Sequence, residues 1–157
     1  METAWLEDYT ILDKRAGLVD LGPRTQIELS GPDRLKFLHN LCTNEIKQLA
    51  VGQGCEALLL NAKGHILFHL LVFHRHATLV LETVAGVNER LANHLNRYLI
   101  REQVEIVDRT ADWGSLLLVG PEALELLGRV GLGPNHDSLV TTVDGAIGEQ
   151  PVQIRRV

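Results

Sequence analysis

Histidines are the first candidates for chemistry in this 157-residue sequence. Four of its seven histidines fall between Leu58 and His76, inside a strongly apolar stretch. Imidazole nitrogens are common metal ligands and frequent acid–base groups near neutral pH. His65 and His69 would lie about 13 Å apart on a strand, which is too far for one zinc ion with Zn–N distances of about 2 Å.

His74 and His76 form a His-x-His pair with better spacing, because alternate residues of a strand share a face. No cysteine, aspartate or glutamate lies close by to complete a metal site. We therefore predict no metal site, and we interpret this pair as solvated loop histidines. For His69 two interpretations stay open: a half-buried strand histidine hydrogen-bonded to a neighbour, or a polar group that faces a ligand.

The elements around these histidines follow from apolar patterning. Residues 56–61 and 65–73 are apolar and rich in β-branched and aromatic side chains, and turn residues separate them at 62–64. Gly64 is the residue free to take a positive φ. With a third run at 77–83, the pattern predicts a three-stranded antiparallel meander. Alternation places one set of side chains on a common face of the middle strand, namely Ile66, Phe68, Leu70 and Val72.

The flanking segments alternate between strand and helix patterns. Residues 25–30 predict a strand with Ile27 and Leu29 inside, residues 103–108 another, and residues 115–119 a short buried strand. Residues 87–101 predict a helix with the 3.6-residue period. Its apolar positions are Val87, Leu91, Leu95, Tyr98 and Leu99. Residues 131–135 read as a loop, and residues 138–143 and 152–157 as two further strands.

A strand–Gly–Pro–acid–helix unit occurs twice, at Gly31 and at Gly120. Proline is well tolerated in the first turn of a helix. The first helix has its apolar stripe at Leu35, Leu38 and Leu41, and the second at Leu124, Leu127 and Val130. We interpret the unit as a weak structural pseudo-repeat; neither copy is a phosphate loop, because a run of backbone N–H donors is missing. The element order is that of an α+β protein.

Composition restricts the partners and the compartment. A hydrophobic content of 45% in 157 residues predicts one domain, residues 1–157, and its last strand stops at the chain end, as in an incomplete or truncated domain. A net charge of -5 without a basic block argues against nucleic acid or an anionic membrane as partner. Cys42 and Cys55 form no disulfide framework, which fits the cytoplasm or an organelle matrix. No apolar run approaches the roughly 18 residues of a membrane span.

Four segments, in their order and spacing, resemble the N-terminal folate-binding region of the YgfZ/GcvT family. They are RAGLVDL (15–21), IELSGPDRLKFLHNLCTNEI (27–46), LLNAKGHILFHLLVF (59–73) and LLLVGPEALELL (116–127). The family joins the aminomethyltransferase T-protein of the glycine cleavage system to YgfZ-type proteins that support iron–sulfur enzymes. The resemblance implies a GcvT/YgfZ N-terminal fold and tetrahydrofolate or a derivative as cofactor.

The same resemblance places the folate-binding residues. In T-proteins the strand after the Asn-x-x-Gly turn carries adjacent aspartates, one of them beside the reactive folate nitrogen; aligned on Asn61 and Gly64, these positions hold Phe68 and His69. Phenylalanine cannot exchange a proton. The implied site residues are Asn61, Lys63, Gly64, Phe68, His69 and Thr83. No catalytic residue is assigned.

The implied function is a non-catalytic, tetrahydrofolate-binding protein or fragment of YgfZ type, with iron–sulfur enzymes or their assembly factors as further partners. The second YgfZ-type signature, Lys-Gly-Cys-x-x-Gly-Gln-Glu, has no match in this chain. Two alternatives stay open. One is an aminomethyltransferase in which His69 replaces the missing carboxylate, and the other is a structural remnant that binds nothing alone.

Overall fold

The computed structural model describes residues 4–132 and 140–156. These residues form helices and strands of an α+β protein, as predicted. The helices are α1 (Ala4–Lys14), α2 (Arg34–His39), α3 (Asn88–Asn96) and α4 (Ala123–Arg129). The strands are β1 (Gly17–Gly22), β2 (Thr25–Ser30), β3 (Gly54–Leu60), β4 (Ile66–His74), β5 (Thr78–Thr83), β6 (Glu105–Asp108), β7 (Ser115–Val119), β8 (Thr141–Ile147) and β9 (Gln150–Arg156).

The main sheet has five strands in the order β3-β4-β5-β2-β6, and all its neighbouring pairs are antiparallel. The meander of β3, β4 and β5 is therefore confirmed. Its first turn lies where the sequence predicted it, and Gly64 has a φ of 79°. Phe68, Leu70 and Val72 of β4 alternate inward, and all three are buried.

A bulge breaks this alternation at the start of β4. Leu59 pairs with Phe68 but Leu60 pairs with Ile66, so Leu67 is an extra residue in the ladder. An extra residue shifts the facing of the side chains before it. Ile66 is consequently 62% exposed, and its predicted place on the buried face is wrong.

The core of the main sheet is apolar and fully covered. Ile27 and Leu29 of β2 are 0% exposed, as predicted. Helix α3 adds Leu91 and Leu95, which are also fully buried. Helix α3 ends at Asn96, before the predicted boundary, and the N–H groups of Tyr98 and Leu99 bond three residues back in tight turns. Tyr98 therefore leaves the apolar stripe and is 45% exposed, contrary to the prediction.

The duplicated strand–Gly–Pro–acid–helix unit has the same local geometry at both places. Gly31 has a φ of 98° and Gly120 a φ of 118°. A Cβ on Gly31 would lie 2.2 Å from the Gln103 carbonyl oxygen, and one on Gly120 would lie 2.4 Å from that of Arg15. Each glycine therefore has two reasons to lack a side chain, a left-handed backbone and a close neighbour.

The described residues form two compact units. The first lies within residues 23–113, 138–142 and 155–157, and the second lies within residues 1–22, 114–137 and 143–154. The first contains the five-stranded sheet. The second contains α1, α4, the β1–β7 pair and most of the β8–β9 pair. Among residues 4–132 and 140–156, no helix is long and apolar enough to cross a membrane.

Two strand predictions in the second unit need correction. Strand β7 has the predicted bounds but is not buried, because Leu116 is 62% exposed. The strand predicted at 138–143 begins instead at Thr141, and Ser138 lies outside the described residues, as do residues 133–135 of the predicted loop. The closing strand predicted at 152–157 runs from Gln150 to Arg156. Patterning did not predict α1 and β1 as elements.

Candidate functional site

A cleft of about 630 Å³ lies between the beginning of β4 and helix α3, within the first unit. Its volume is within the usual range for small-molecule sites, about 300–1,000 Å³. Strand β4 contributes apolar side chains and α3 contributes polar and charged ones. The lining residues are Ile66, Leu67, Phe68, Glu89, Arg90, Asn93, His94 and Arg97.

Phe68 is the aromatic wall of this cleft. It is 6% exposed, since inward alternation on β4 directs it toward the core side of the sheet. The guanidinium carbon of Arg90 lies 4.7 Å from the centroid of the Phe68 ring, and the Arg90 Nη2 donates to the Leu67 carbonyl at 3.4 Å. A guanidinium at this distance over a ring makes a cation–π contact. The ring and the cation therefore form one preassembled surface.

Helix α3 supplies the polar side of the cleft through the flank beside its buried apolar stripe. Leu91 and Leu95 are directed into the core, so Arg90, His94 and Arg97, at spacings of four and three residues, share another flank. The His94 ring centroid is 5.8 Å from that of Phe68 and 5.2 Å from that of Tyr98. Sequence analysis missed these three residues: their i, i+4, i+7 spacing places them on one flank of the predicted helix, but it does not show what that flank faces.

The cleft is electropositive. Arg90 and Arg97 each carry a positive charge, and Glu89 carries one negative charge. Burial, and secondarily the nearby charge of Arg97, lower the pKa of His94 below its ordinary value, which favours the neutral imidazole near neutral pH. The sum is one net positive charge over an apolar and aromatic wall, which suits a flat anionic ligand.

The Thr83 side chain bonds to the backbone of His69, whereas the His69 side chain lies beside Glu56. The His69 side chain is 57% exposed and lies 3.4 Å from the Glu56 carboxylate. The Thr83 hydroxyl, on a residue that is 4% exposed, donates to the His69 carbonyl at 2.7 Å. His69 does not line the cleft, whose lining from β4 is Ile66, Leu67 and Phe68. These positions of His69 and Thr83 favour a supporting role next to Phe68.

Asn61, Lys63 and Gly64 form the turn that leads into β4. The Asn61 Oδ1 accepts hydrogen bonds from the N–H groups of Lys63 at 2.9 Å and His65 at 3.0 Å. The Gly64 N–H donates to the Asn61 carbonyl at 2.9 Å. Such side-chain bonds to the following backbone fix an Asx turn. Lys63 is exposed at the tip of this turn.

His74 differs from its prediction as a solvated loop residue. It is the last residue of β4 and is 6% exposed, with its Nδ1 2.6 Å from the Leu49 carbonyl oxygen. His76 is exposed, as predicted. Within residues 4–132 and 140–156, no three histidine, cysteine or acidic side chains are grouped as metal ligands would be. The absence of metal from the protein stays a prediction.

Cys42 and Cys55 are free thiols of intermediate exposure. Burial raises the pKa of the Cys55 thiol to about 11, and burial also raises that of Cys42. Since the thiolate is the reactive form, both cysteines are poor nucleophiles near neutral pH. Neither lines the cleft, so the candidate site is not a cysteine site.

Comparison with known proteins identifies the family. The family described as "GCVT N-terminal domain" matches residues 1–157, the whole chain. The chain belongs to the GCVT N-terminal domain family. An aminomethyltransferase of Rubrobacter xylanophilus is 30% identical over 120 residues, which are 76% of this chain and 32% of that protein. The chain thus spans about a third of the length of this relative.

Solved structures agree on the fold of this GCVT N-terminal domain. The glycine cleavage system aminomethyltransferase T from Bartonella henselae superposes with a TM-score of 0.79 at 22% identity, covering 90% of this chain and 39% of that one. The heterotetrameric sarcosine oxidase from Corynebacterium sp. U-96 gives a TM-score of 0.64 at 18% identity, covering 92% of this chain and 71% of that one. The protein is a GcvT-like, aminomethyltransferase-related domain.

Proposed function

We propose that the cleft between β4 and α3 binds a reduced folate, and that this chain alone does not catalyse aminomethyl transfer. The observation that carries the proposal is the pairing of an aromatic ring, Phe68, with an electropositive helix flank in one cleft. A folate combines a flat heteroaromatic pteridine with a glutamate tail that bears two carboxylates. Membership of the GCVT N-terminal domain family supports this ligand class.

Each part of the cleft has a distinct task in this proposal. Phe68 and the Arg90 guanidinium that lies over its ring form a flat wall against which the pteridine can pack. Arg90 and Arg97 attract the carboxylates, and a guanidinium can grip a carboxylate with two hydrogen bonds. Glu89 and Asn93 are the neighbouring groups that can accept hydrogen bonds from the pteridine N–H groups.

The other residues predicted for folate binding act on the position of Phe68. The turn of Asn61, Lys63 and Gly64 fixes where β4 begins, and the bond from Thr83 to the His69 carbonyl fixes the backbone next to Phe68. A ring held at both flanks loses less conformational freedom on binding. In this proposal these five residues support the site and do not contact the pteridine.

The lack of catalysis follows from what β4 brings to the cleft. Strand β4 contributes Ile66, Leu67 and Phe68, none of which can exchange a proton. The names of the relatives favour the other candidate, aminomethyl transfer, and Glu89 is a carboxylate in the cleft that could serve it. Release of ammonia from a protein-bound aminomethyl donor, in the presence of tetrahydrofolate, distinguishes the two: turnover by the chain would refute the non-catalytic proposal.

We also propose a YgfZ-type link to iron–sulfur enzymes, which is independent of the folate site. It predicts that cells without this protein lose activity of an iron–sulfur enzyme such as aconitase, and that the wild-type gene restores it. Unchanged aconitase activity in the deletion strain would contradict the link and leave the folate site untouched.

Calorimetry with 5-formyltetrahydrofolate tests the site directly. We expect wild-type protein to bind and Arg90→Gln to bind about ten- to a hundredfold more weakly, because a hydrogen bond to a charged group contributes about 1.5–3 kcal/mol. Arg129→Gln is the matched control, since Arg129 lies on exposed α4 and pairs with Glu125. Equal affinity of wild type and Arg90→Gln, or no binding by either, would refute the proposal.

A further inference from the structure

His94 is the titratable group placed to respond to the ligand in the cleft. Its ring forms tilted aromatic pairs with two neighbours, and the ring centroids are 5.8 Å apart for Phe68 and 5.2 Å apart for Tyr98. It is one helical turn from Arg90 and three residues before Arg97, on the same flank of α3. Whatever anion meets these two arginines therefore also meets the imidazole.

The charged groups that face His94 are few and come from one side. Helix α3 and the residue after it contribute Arg90, Arg97 and Glu89, and Tyr98 contributes a phenol. The lining from β4 is apolar. With a neutral imidazole the cleft carries one net positive charge, and with an imidazolium it carries two.

Partial burial, and after it the positive charge of Arg97, oppose a charged imidazole in the empty cleft and lower the pKa of His94. A bound anion reverses the balance, because a negative charge favours the imidazolium. Ligand and proton therefore each favour the binding of the other.

We infer that His94 takes up a proton when an anionic ligand occupies the cleft, so that the site binds its ligand more tightly in mildly acidic solution. This inference rests on the proposed function for the identity of the ligand as a folate, but its charge argument holds for any anion in the cleft. His94 is a specificity-determining residue here: a neutral analogue without carboxylates gains nothing from its protonation.

The sign of the pH dependence follows from linkage. Anion binding raises the pKa of His94 relative to the empty cleft, so affinity is greatest at low pH and falls as pH rises through the pKa of the bound state. The carboxylates of a folate stay ionised above about pH 5, with reference pKa values near 4. The formyl group on N5 removes the basicity of that nitrogen. The dependence between about pH 5 and about pH 8 therefore reports His94.

The test compares affinity for 5-formyltetrahydrofolate between about pH 5.5 and about pH 8 in wild type, His94→Gln and His76→Gln. His76 is exposed and outside the cleft, so its variant is the matched control. We expect about tenfold tighter binding at the lower pH in wild type and in His76→Gln, and a nearly flat profile in His94→Gln. The same profile in wild type and His94→Gln would overturn the inference while the folate site stands.

A second measurement separates this inference from the proposed function. The His94 imidazole is followed by NMR over the same pH range, with and without sulfate, a probe that does not itself titrate there. A rise of the His94 pKa with sulfate, without any folate binding, would refute the folate proposal and support proton-coupled anion binding. An unchanged His94 pKa with saturating sulfate, or with a bound folate, would overturn the inference.

Discussion

At the scale of single residues, Glu82 and Arg155 form a mostly buried ion pair, with side chains 12% and 13% exposed. Glu82 on β5 is 12% exposed and pairs with Arg24 at 3.3 Å and with Arg155. Arg155 also donates to the Gln26 side-chain oxygen at 3.1 Å, and its guanidinium lies 4.7 Å from the Phe73 ring centroid. The Glu82 carboxylate thus pairs with two guanidinium groups of the main sheet's unit. Removing its charge would take a mostly buried ionic partner from both arginines.

We predict that Glu82→Gln lowers the free energy of unfolding by about 2–3 kcal/mol, because it removes a mostly buried charge that pairs with both Arg24 and Arg155. The control is Glu125→Gln on α4, whose partner Arg129 lies 2.6 Å away but whose side chain is 64% exposed. Exposed pairs contribute about 0–1 kcal/mol, so this variant should be nearly neutral. Urea denaturation measures both, and equal effects would show that burial does not set the strength of these pairs.

At the scale of elements, the two Gly–Pro turns share a construction beyond their glycines. The Asp33 N–H donates to the Gln103 carbonyl, and the Glu122 N–H donates to the Arg15 carbonyl at 2.9 Å. In each case the accepting residue precedes a strand that pairs antiparallel with the strand before the glycine, β6 with β2 and β1 with β7. In both copies of the pseudo-repeat, a backbone hydrogen bond therefore joins the beginning of a helix to the residues before a neighbouring strand.

This construction predicts different costs for two glycine substitutions. In Gly64→Ala the new alanine must keep a φ of 79°, but the space around its Cβ is open. This substitution should therefore lower the free energy of unfolding by about 1–2 kcal/mol. Gly31→Ala adds an overlap with the Gln103 carbonyl at 2.2 Å, and it should cost clearly more, about 3 kcal/mol or above. Thermal unfolding of both variants checks the order. Equal stability of the Gly31→Ala and Gly64→Ala proteins would mean that the backbone at Gln103 moves away from residue 31 at little cost.

Sequence patterning predicted the elements that have strong local signals. The meander follows from alternation on β4 and from the turn at Gly64, and both are confirmed. The exposure of Ile66 was not predictable, because a bulge depends on pairing between strands. The apolar run of β7 is typical of a buried strand, yet exposure is set by what covers a strand and not by its own residues.

The candidate site was predictable on one side only. Phe68 was identified from its alternation and from the family resemblance, and the structure places it in the cleft. Arg90, His94 and Arg97 were missed because charged residues beside an apolar stripe are usually a solvated helix face. Only the position of α3 across from β4 turns that face into the lining of a cleft, and a single sequence does not specify such a position.

At the scale of the whole molecule, the two compact units differ in how well their strands are covered. Strand β5 lies inside the main sheet with a strand on each side, and Leu79 and Leu81 are 0% exposed. In the part of the chain that the structure describes, β1 and β7 form a two-stranded sheet with each other, and Leu18 and Leu116 are 64% and 62% exposed. A two-stranded sheet is marginally stable on its own. Opening of the β1–β7 pair should therefore require less free energy than opening of the main sheet.

Hydrogen exchange followed by mass spectrometry tests this difference. We expect amides of β5 to exchange at least about tenfold more slowly than those of β1 and β7, since protection follows the free energy of local opening. Leu81→Ala creates a core cavity, costs about 2–5 kcal/mol and should speed exchange throughout the main sheet. Leu116→Ala changes an exposed side chain and should leave β5 unaffected, within about 0.5 kcal/mol. Equal protection of the β5 and β1 amides would contradict this prediction. Both strands would then exchange through unfolding of the whole protein, and the β1–β7 pair would not open separately.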